Sequence, residues 1–304
     1  EYGVHDLEAL AQVKLAVARA LDARGLLVVN ADDPLLARLA PAAAKPLGWF
    51  ARDYEHPLLA FHRRGGGATA APFGGRLALA WRGREHDLGE IARMPLAAGG
   101  HSHFNVANLA TAALGAVGLG IDPLVIAGVF ARFGSDPADN AGRLMRYELG
   151  GLDLIVDFAH NPAALAGLAD FAQHLRGNGR LALLLGQAGN REDADIDRLA
   201  AVAAKARPDY VVVKELSGYL RGRTGGEIPA LLRGALAHAG LDGERVADAA
   251  DEEQAVRMAL AWARPGDVLV LPLHSRDGRA LALALFERLR REGWRAGQPL
   301  PLQN

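Results

Sequence analysis

Short continuous apolar runs alternate with helical patterns along the second half of the chain. The apolar runs are Leu152 to Val156, Leu181 to Leu185, Tyr210 to Val213 and Val268 to Leu271. Apolar residues recur at helical spacing in segments 162–176, 193–206, 226–239, 252–263 and 279–291. Strands that are apolar on both faces and separated by helices are typical of a parallel sheet covered on both sides. The pattern predicts an α/β domain of the Rossmann type with a mostly parallel sheet.

The first half of the chain has a less regular pattern. It predicts a helix over about residues 6–23, a strand from Leu26 to Asn30 and a second helix after Asp32-Asp33-Pro34. Between residues 47 and 98, glycine clusters, the alternating run Arg76 to Trp81 and the turn at Arg82-Gly83-Arg84 predict one or two β-hairpins. Two further helices are expected, over about 105–118 and 123–131.

A polar stretch rich in glycine, proline and aspartate, residues 134–142, separates these two patterns. Such composition is typical of a domain boundary, and we divide the chain into domains 1–141 and 142–304. The length of 304 residues and mass of 32.1 kDa leave room for two cores of ordinary size.

Charge and composition exclude several classes of function. The formal net charge of -1 gives no overall field that would attract nucleic acid or an anionic membrane. The chain has no cysteine, which excludes disulfides and thiolate metal sites, and it has no uncharged run long enough to span a bilayer. We therefore expect a cytoplasmic protein that binds neither nucleic acid nor membrane. Because the chain begins Glu1-Tyr2-Gly3 without methionine, we interpret it as a fragment.

The most informative motif is Asp157-Phe158-Ala159-His160-Asn161-Pro162, which follows a predicted strand and opens a predicted helix. An acid, an imidazole and an amide in one turn at the carboxyl end of a parallel strand lie where open α/β sheets bind ligands. The alternative is purely structural, because Asn before a helix is often an N-cap and proline is common in the first turn.

Other candidate residues have equally plain alternatives. Asn105 and Asn108 share one helical face, where their amides suit an adenine edge, although Asn105 is also a candidate cap. Arg143 follows the presumed linker and suits a phosphate, or it is a solvated charge. Lys14 lies on an otherwise apolar helical segment, where snorkelling is the default.

A basic, glycine-rich loop follows the third strand of the second half. Lys214 ends that strand, and Arg221 and Arg223 follow in the loop, where they suit an anion or a carboxylate-bearing substrate. His274-Ser275 follows the last strand, but without a G-x-S-x-G elbow it is a weak basis for a hydrolase. No G-x-x-x-x-G-K-[ST] motif occurs in the 304 residues, so the chain has no phosphate-binding P-loop of its own.

Taken in order, these motifs resemble the Mur ligase family, and its cyanophycin synthetase branch in particular. The run Asn30 to Pro34 resembles the family's NADDP, His103 to Asn108 its HNVxN, Gly142-Arg143 its interdomain GR, and Asp157 to Pro162 its DYAHNP. The resemblance covers nearly the whole chain. It implies part of a P-loop ATPase-like central domain with a β-hairpin insertion, followed by the family's Rossmann-like C-terminal domain.

The resemblance also implies roles for individual residues. Asn105 and Asn108 would face adenine, Arg143 and Asp157 would hold ribose and phosphates, and His160 and Asn161 would lie near the reaction centre. Lys14 matches a lysine that several Mur ligases carboxylate, and as a carbamate it would bind magnesium. The acceptor amino acid would meet Lys214, Arg221 and Arg223.

The family's chemistry is ATP-dependent amide formation. A carboxylate becomes an acyl phosphate, which an amine then displaces, and in the cyanophycin branch the amine belongs to arginine. We therefore expect part of an ATP-dependent ligase that takes amino-acid or polypeptide substrates and uses ATP and Mg²⁺. Without a P-loop the chain alone would be inactive. The alternatives are a non-catalytic Mur-like module that binds nucleotide or a partner, and a folylpolyglutamate or peptidoglycan ligase fragment. Homo-oligomer formation is compatible with each.

Overall fold

The computed structural model describes residues 4, 6–241 and 243–301, and they form two compact units. The first unit ends at Ser135 and the second begins at Asp136, six residues before the boundary placed by composition. The assignment of the two units to an ATPase-like and a ligase domain stays a prediction. Within the described ranges, no helix is both long enough and apolar enough to cross a membrane.

The first unit contains a five-stranded sheet in which the strands follow chain order. The strands are β1 (Leu27–Asn30), β2 (Leu47–Phe50), β3 (Ala68–Phe73), β4 (Arg76–Trp81) and β5 (Arg84–Glu90). The first three are parallel, and β3, β4 and β5 form an antiparallel meander. The helices are α1 (Leu7–Leu15), α2 (Pro34–Leu39), α3 (Pro57–Arg64), α4 (His103–Gly118) and α5 (Pro123–Phe130).

One or two hairpins were predicted, and two are present. Residues with positive φ make their turns: Gly74 and Gly75 join β3 to β4, and Arg82 and Gly83 join β4 to β5. Two other expectations were wrong. The first helix ends at Leu15 and continues only as a 3₁₀ segment to residue 20, and helix α3 lies between residues 47 and 98, where only hairpins were predicted.

The second unit contains a six-stranded sheet in the order β10-β9-β8-β11-β7-β6. The strands are β6 (Met145–Leu149), β7 (Leu152–Asp157), β8 (Leu181–Leu185), β9 (Tyr210–Lys214), β10 (Val246–Ala249) and β11 (Val268–Pro272). All neighbours are parallel except the antiparallel pair β6 and β7. The helices are α6 (Pro162–Leu175), α7 (Asp193–Lys205), α8 (Glu227–His238), α9 (Glu252–Trp262) and α10 (Arg276–Arg291).

Helices cover both faces of this sheet, which confirms the predicted α/β architecture. Alternate strand residues such as Leu154, Val156 and Leu269 pack with α9 and α10, and α6, α7 and α8 pack in a row against the sheet. The intervening residues Ile155 and Val270 are buried as well. Strands β6 and β10 escaped the sequence analysis because both lie at the sheet edges and mix exposed with buried positions.

Candidate functional site

The candidate site of the second unit lies at the carboxyl edge of its sheet. Strands β7, β8, β9 and β11 are parallel, so their last residues, Asp157, Leu185, Lys214 and Pro272, lie along one edge. The polar segments that follow these strands therefore converge there. This edge is where sheets of this type bind ligands.

Asp157 lies inside this edge and holds its turn together. Only 6% of the residue is exposed, and its Oδ2 accepts a hydrogen bond from the Leu144 N–H at 2.8 Å. Burial raises the pKa of Asp157, although hydrogen bonds from Leu144, Ala159 and Phe158 and the charge of Arg143 oppose the shift. The carboxylate thus connects the start of the second unit to the turn after β7.

The Gly142-Arg143-Leu144 segment has an unusual backbone. Gly142 has φ 78° and Leu144 has φ 44°, a left-handed conformation that a leucine rarely adopts. The bond from the Leu144 N–H to Asp157 holds it there. Arg143 is exposed, and its guanidinium carbon lies 5.0 Å from the centre of the Phe158 ring. Strain of this kind is concentrated at functional sites.

The turn itself presents His160 and caps helix α6. The Asn161 Oδ1 accepts a hydrogen bond from the Ala164 N–H at 2.9 Å, so Asn161 is the N-cap that the structural alternative predicted. His160 is half-buried, with Nδ1 3.2 Å from the Phe158 carbonyl oxygen. The Gln187 side chain, in the loop after β8, donates to the His160 carbonyl oxygen at 2.8 Å. Capping and a role at the site are compatible for this turn.

Lys214 forms a buried ion pair. Its side chain is 0% exposed, and Nζ donates to Glu252 Oε1 at 2.5 Å and to the Pro272 carbonyl oxygen. Burial lowers the pKa of Lys214, and Glu252 opposes that shift. Burial alone would raise the pKa of Glu252, but Lys214 and hydrogen bonds from Lys214, Ser275 and His274 lower it to about 2. Lys214 Nζ is surrounded by three acceptors, Glu252 Oε1, the Pro272 carbonyl oxygen and His274 Nδ1, which fits an ammonium paired with a carboxylate.

His274 connects this ion pair to the turn after β7. Its Nε2 lies 2.9 Å from the Ala159 carbonyl oxygen, and its Nδ1 lies 3.4 Å from Lys214 Nζ. A carbonyl can only accept, so Nε2 carries the proton and Nδ1 is free to accept from Lys214. Burial, and after it the charge of Lys214, lowers the pKa of His274 to about 4. The imidazole is therefore neutral at pH 7.

A cavity of about 230 Å³ opens beside this ion pair. The loop after β9, the first turn of α9 and the start of α10 form its walls. Four carboxylate residues line it: Glu215, Asp251, Glu252 and Glu253. Lys214 is paired with Glu252, whereas Glu215 accepts hydrogen bonds from the Leu216 and Gly226 N–H groups and Asp251 accepts one from the Gln254 N–H. Because backbone N–H groups do not neutralise a carboxylate, Glu215 and Asp251 make the cavity favour a cation.

The arginines that the sequence analysis placed at the acceptor have different surroundings. Arg223 donates to the Gly189 and Arg191 carbonyl oxygens and to Asp193 and Glu227, at 2.7–3.0 Å. The Arg223 guanidinium thus joins two loops. Arg221 is exposed, has φ 49° and lies 5.9 Å from the Tyr219 ring centre. The substrate-binding roles of Lys214, Arg221 and Arg223 stay predictions.

In the first unit, Asn105 and Asn108 form a pair at the start of α4. Asn105 is buried and donates to the Leu96 carbonyl oxygen at 3.0 Å, and its Oδ1 accepts from Asn108 Nδ2 at 3.1 Å. Asn108 is exposed. Asn105 thus orients the amide of Asn108, and cap formation by Asn105 was not observed, since Ser102 occupies the N-cap position.

Lys14 lies in the last turn of α1 and is exposed. In the part of the chain that the structure describes, no group of three or more His, Asp or Glu residues could hold a metal ion. A protein-built magnesium cage is therefore not present among those residues. Mg²⁺ is usually held by one or two carboxylates together with substrate phosphates, so a nucleotide-bound ion needs no such cage.

A larger cavity, of about 580 Å³, lies at the C-terminal ends of α6 and α7, at the opposite edge of the sheet. Arg176, Lys205 and Arg207 line it. Basic residues at helix C-termini offset the helix dipole, which explains their presence without a ligand. The acidic cavity, by contrast, is linked to the turn of residues 157–162 through Glu252 and His274.

Glu252 and His274 are the site residues that sequence analysis missed or undervalued. Glu252 looks like an ordinary acidic residue in the first turn of a helix, where such residues are common. His274 was considered only together with Ser275, as a weak basis for a hydrolase. The available signal was position, since each follows a strand or begins a helix at the carboxyl edge.

Comparison with known proteins identifies the family of this chain. Residues 142–272 match the family model described as "Mur ligase, glutamate ligase domain". The cyanophycin synthetase of Synechocystis sp. is 31% identical over 229 residues, which are 75% of this chain and 26% of that protein. The chain belongs to the Mur ligase family.

Further Mur ligase relatives match most of the chain. The cyanophycin synthetase of Trichormus variabilis is 29% identical over 289 residues, which are 95% of this chain and 32% of that protein. The folylpolyglutamate synthase of Mycobacterium tuberculosis, solved with ADP and AMPPCP, has the same fold, with a TM-score of 0.63 and 20% identity over 92% of this chain and 60% of that one. The chain thus spans about a quarter to a third of the length of these cyanophycin synthetases.

Proposed function

We propose that the chain is part of an ATP-dependent ligase that joins a carboxylate to the amine of a cationic amino acid, of the arginine type. The family supplies the reaction class, since its members here are ligases. The acidic cavity carries the choice of acceptor: Glu252 and His274 link it to the Asp157 turn, and the carboxylates of Glu215 and Asp251 favour a guanidinium or ammonium group over an anion.

The second unit has residues that suit a nucleotide. Arg143 is an exposed cation beside the Phe158 ring, and a guanidinium suits phosphate oxygens in two-point contact. Asp157 holds the backbone on which Arg143 lies. We propose that Arg143 contacts phosphate oxygens, that Asp157 contacts ribose, and that His160 and Asn161 lie near the reacting groups.

In the first unit we propose that Asn108, oriented by Asn105, contacts adenine. When bound, ATP would supply the phosphoryl group that activates the carboxylate, and Mg²⁺ and positive side chains would offset its charge. We propose that Mg²⁺ arrives with ATP, and that Lys14 contributes a ligand only if it is carboxylated.

In the ligation step, the amine of the acceptor attacks the carbonyl carbon of the acyl phosphate. A C–N bond forms, the C–O bond to phosphate breaks, and the amine releases a proton as phosphate leaves. The protein's part is to hold the acceptor amine and the turn in place and to keep water away.

Calorimetry with L-arginine tests the proposed acceptor on this 304-residue chain, because binding of the acceptor does not require a P-loop. Asp251→Asn removes one charge from the cavity and keeps an N-cap of equal quality, because Asn and Asp cap equally well. We expect arginine to bind the wild-type chain, and to bind Asp251→Asn about 5-fold more weakly, as expected for about 1 kcal/mol of partly screened attraction. L-Glutamate is the matched anionic control. Preferred glutamate binding would favour a folylpolyglutamate-type ligase instead.

Turnover is tested on the natural protein that contains these 304 residues. With ATP, Mg²⁺, an aspartyl peptide and arginine, we expect release of phosphate and a product heavier than the peptide by one arginine less water. The absence of a P-loop motif from the 304 residues favours a second candidate, a non-catalytic Mur-like module. Nucleotide binding without phosphate release from that protein would support the second candidate.

A further inference from the structure

We propose that His274 is a positioning residue that couples the acidic cavity to the turn of residues 157–162. The inference rests on the proposed function for the identity of the cavity's ligand. The positioning itself rests on contacts within the second unit. Two ends of one hydrogen-bonded chain carry it: Glu252 and Ser275 line the cavity, and His274 contacts Ala159 in the turn.

At the cavity end, Glu252 holds the segment after β11. Oε1 accepts from Lys214 Nζ at 2.5 Å and from the His274 N–H at 2.7 Å. Oε2 accepts from the Ser275 N–H at 2.9 Å and from Ser275 Oγ at 2.5 Å. Each carboxylate oxygen of Glu252 thus accepts two hydrogen bonds. A cation placed in the cavity beside Glu252 competes with Lys214 and Ser275 for this carboxylate.

The residues around Glu252 are packed so closely that a displacement of its carboxylate cannot be taken up locally. A Cβ on Gly278 would lie 2.4 Å from Glu252 Oε2 and 2.6 Å from Ser275 Oγ. A Cβ on Gly186 would lie 2.9 Å from Lys214 Cγ. Buried networks of this density rearrange as units, because an unpaired donor or acceptor inside a protein is costly.

At the other end, His274 holds the turn through one hydrogen bond and one ring contact. Nε2 donates to the Ala159 carbonyl oxygen at 2.9 Å. The Phe158 ring lies edge-on to the His274 ring, with 5.6 Å between the ring centres. The centre of the His160 ring lies 5.2 Å from the centre of the Phe158 ring. His160 belongs to the turn and is not among the residues that line the cavity, so its ring signals report on the turn.

The coupling needs His274 in one tautomer. Lys214 Nζ can only donate, so it favours a lone pair on Nδ1 and a proton on Nε2. That proton is the one donated to Ala159. In this way the charge of Lys214, balanced by Glu252, determines whether the turn is held.

Nitrogen NMR of the whole 304-residue chain, labelled with ¹⁵N-histidine, tests the positioning without any ligand. We expect the His274 ring to be the neutral Nε2–H tautomer at pH 7. His274→Leu removes the donor and should shift the His160 ring signals, whereas His274→Gln keeps an N–H donor and should leave them close to wild type. An Nδ1–H or doubly protonated His274, or unchanged His160 signals in His274→Leu, would overturn the proposal.

Titration with L-arginine tests the coupling. In the wild type, we expect the His274 and His160 signals to move with the same midpoint concentration, and in His274→Leu the response of His160 should be lost. Arginine binding seen by calorimetry with no movement of His160 would refute the coupling and leave the proposed function standing. No arginine binding at all would refute both the acceptor and the coupling, while the tautomer and the His274→Leu comparison still decide the positioning.

Discussion

At the scale of single residues, a polar side chain at this site is defined by its partners more than by its type. The positions of Lys214 at the end of β9 and of Arg223 in the following loop predicted substrate-binding cations, yet their donors contact protein acceptors. Glu252, an unremarkable acid in the sequence, accepts four hydrogen bonds. Which cations are balanced internally depends on residues up to 38 positions away, as between Lys214 and Glu252.

Glu252→Gln tests the buried ion pair. The substitution leaves the ammonium of Lys214 without a counter-ion, and we expect the free energy of unfolding to fall by about 3–5 kcal/mol. The measurement is urea denaturation followed by circular dichroism. The exposed pair between Arg233 and Asp248 is the control, since Asp248→Asn should change stability by less than about 1 kcal/mol. Equal effects at both sites would contradict a special role for Glu252.

The pH dependence of stability tests the environment of His274. Its pKa is about 4 in the folded protein and 6.5 when unperturbed, so between these values the unfolded state binds more protons. The contribution of His274 is therefore complete above pH 6.5 and is lost as the pH falls toward 4, by on the order of 3 kcal/mol. We expect His274→Gln to flatten the stability profile in this window. A profile as steep as that of the wild type would rule out the assigned pKa.

At the scale of elements, the turn after β7 both begins a helix and presents candidate chemistry. Asn161 caps α6, and the bond between Asp157 and Leu144 fixes the backbone before it. The apolar runs predicted β7, β8, β9 and β11 within one residue because buried parallel strands are continuously apolar. The edge strands β6 and β10 lacked that signal.

Asn161→Ala tests the cap. It removes the acceptor for the Ala164 N–H, and we expect a loss of about 1 kcal/mol in the free energy of unfolding, measured by urea denaturation. Asn161→Asp keeps an acceptor and should be nearly neutral in stability. If Asn161→Asp destabilises as much as Asn161→Ala, the amide nitrogen matters as well, and capping alone does not explain the residue.

At the scale of the whole molecule, two units with separate cores make up the described chain. The core of the second unit includes residues of its sheet and of helices α9 and α10. The sequence-derived boundary differs by six residues because the polar stretch that marks it, residues 134–142, continues into the second unit.

Expression of residues 136–304 alone tests the independence of the second unit. We expect a cooperative thermal transition in circular dichroism, because its sheet and core are complete. Residues 152–304, which lack β6, are the control. They lose the buried Met145 and Leu149 and leave β7 unpaired at one side, so Tm should fall by about 10 °C or more. Failure of the 136–304 unit to fold would show that it depends on the first unit.

The α/β class, the hairpins, the central strands and the family follow from the sequence alone, because these depend on periodicity and on short motifs that need only neighbours along the chain. Which charges remain available for a ligand depends on the folded arrangement. Lys214, Glu252 and His274 come from three separate segments, and only the parallel order of β9, β10 and β11 brings them together at one edge. A buried charge is stable only when it is paired, so Lys214 is bound to Glu252 and is not available to a ligand. The cavity beside this ion pair is lined by acidic residues.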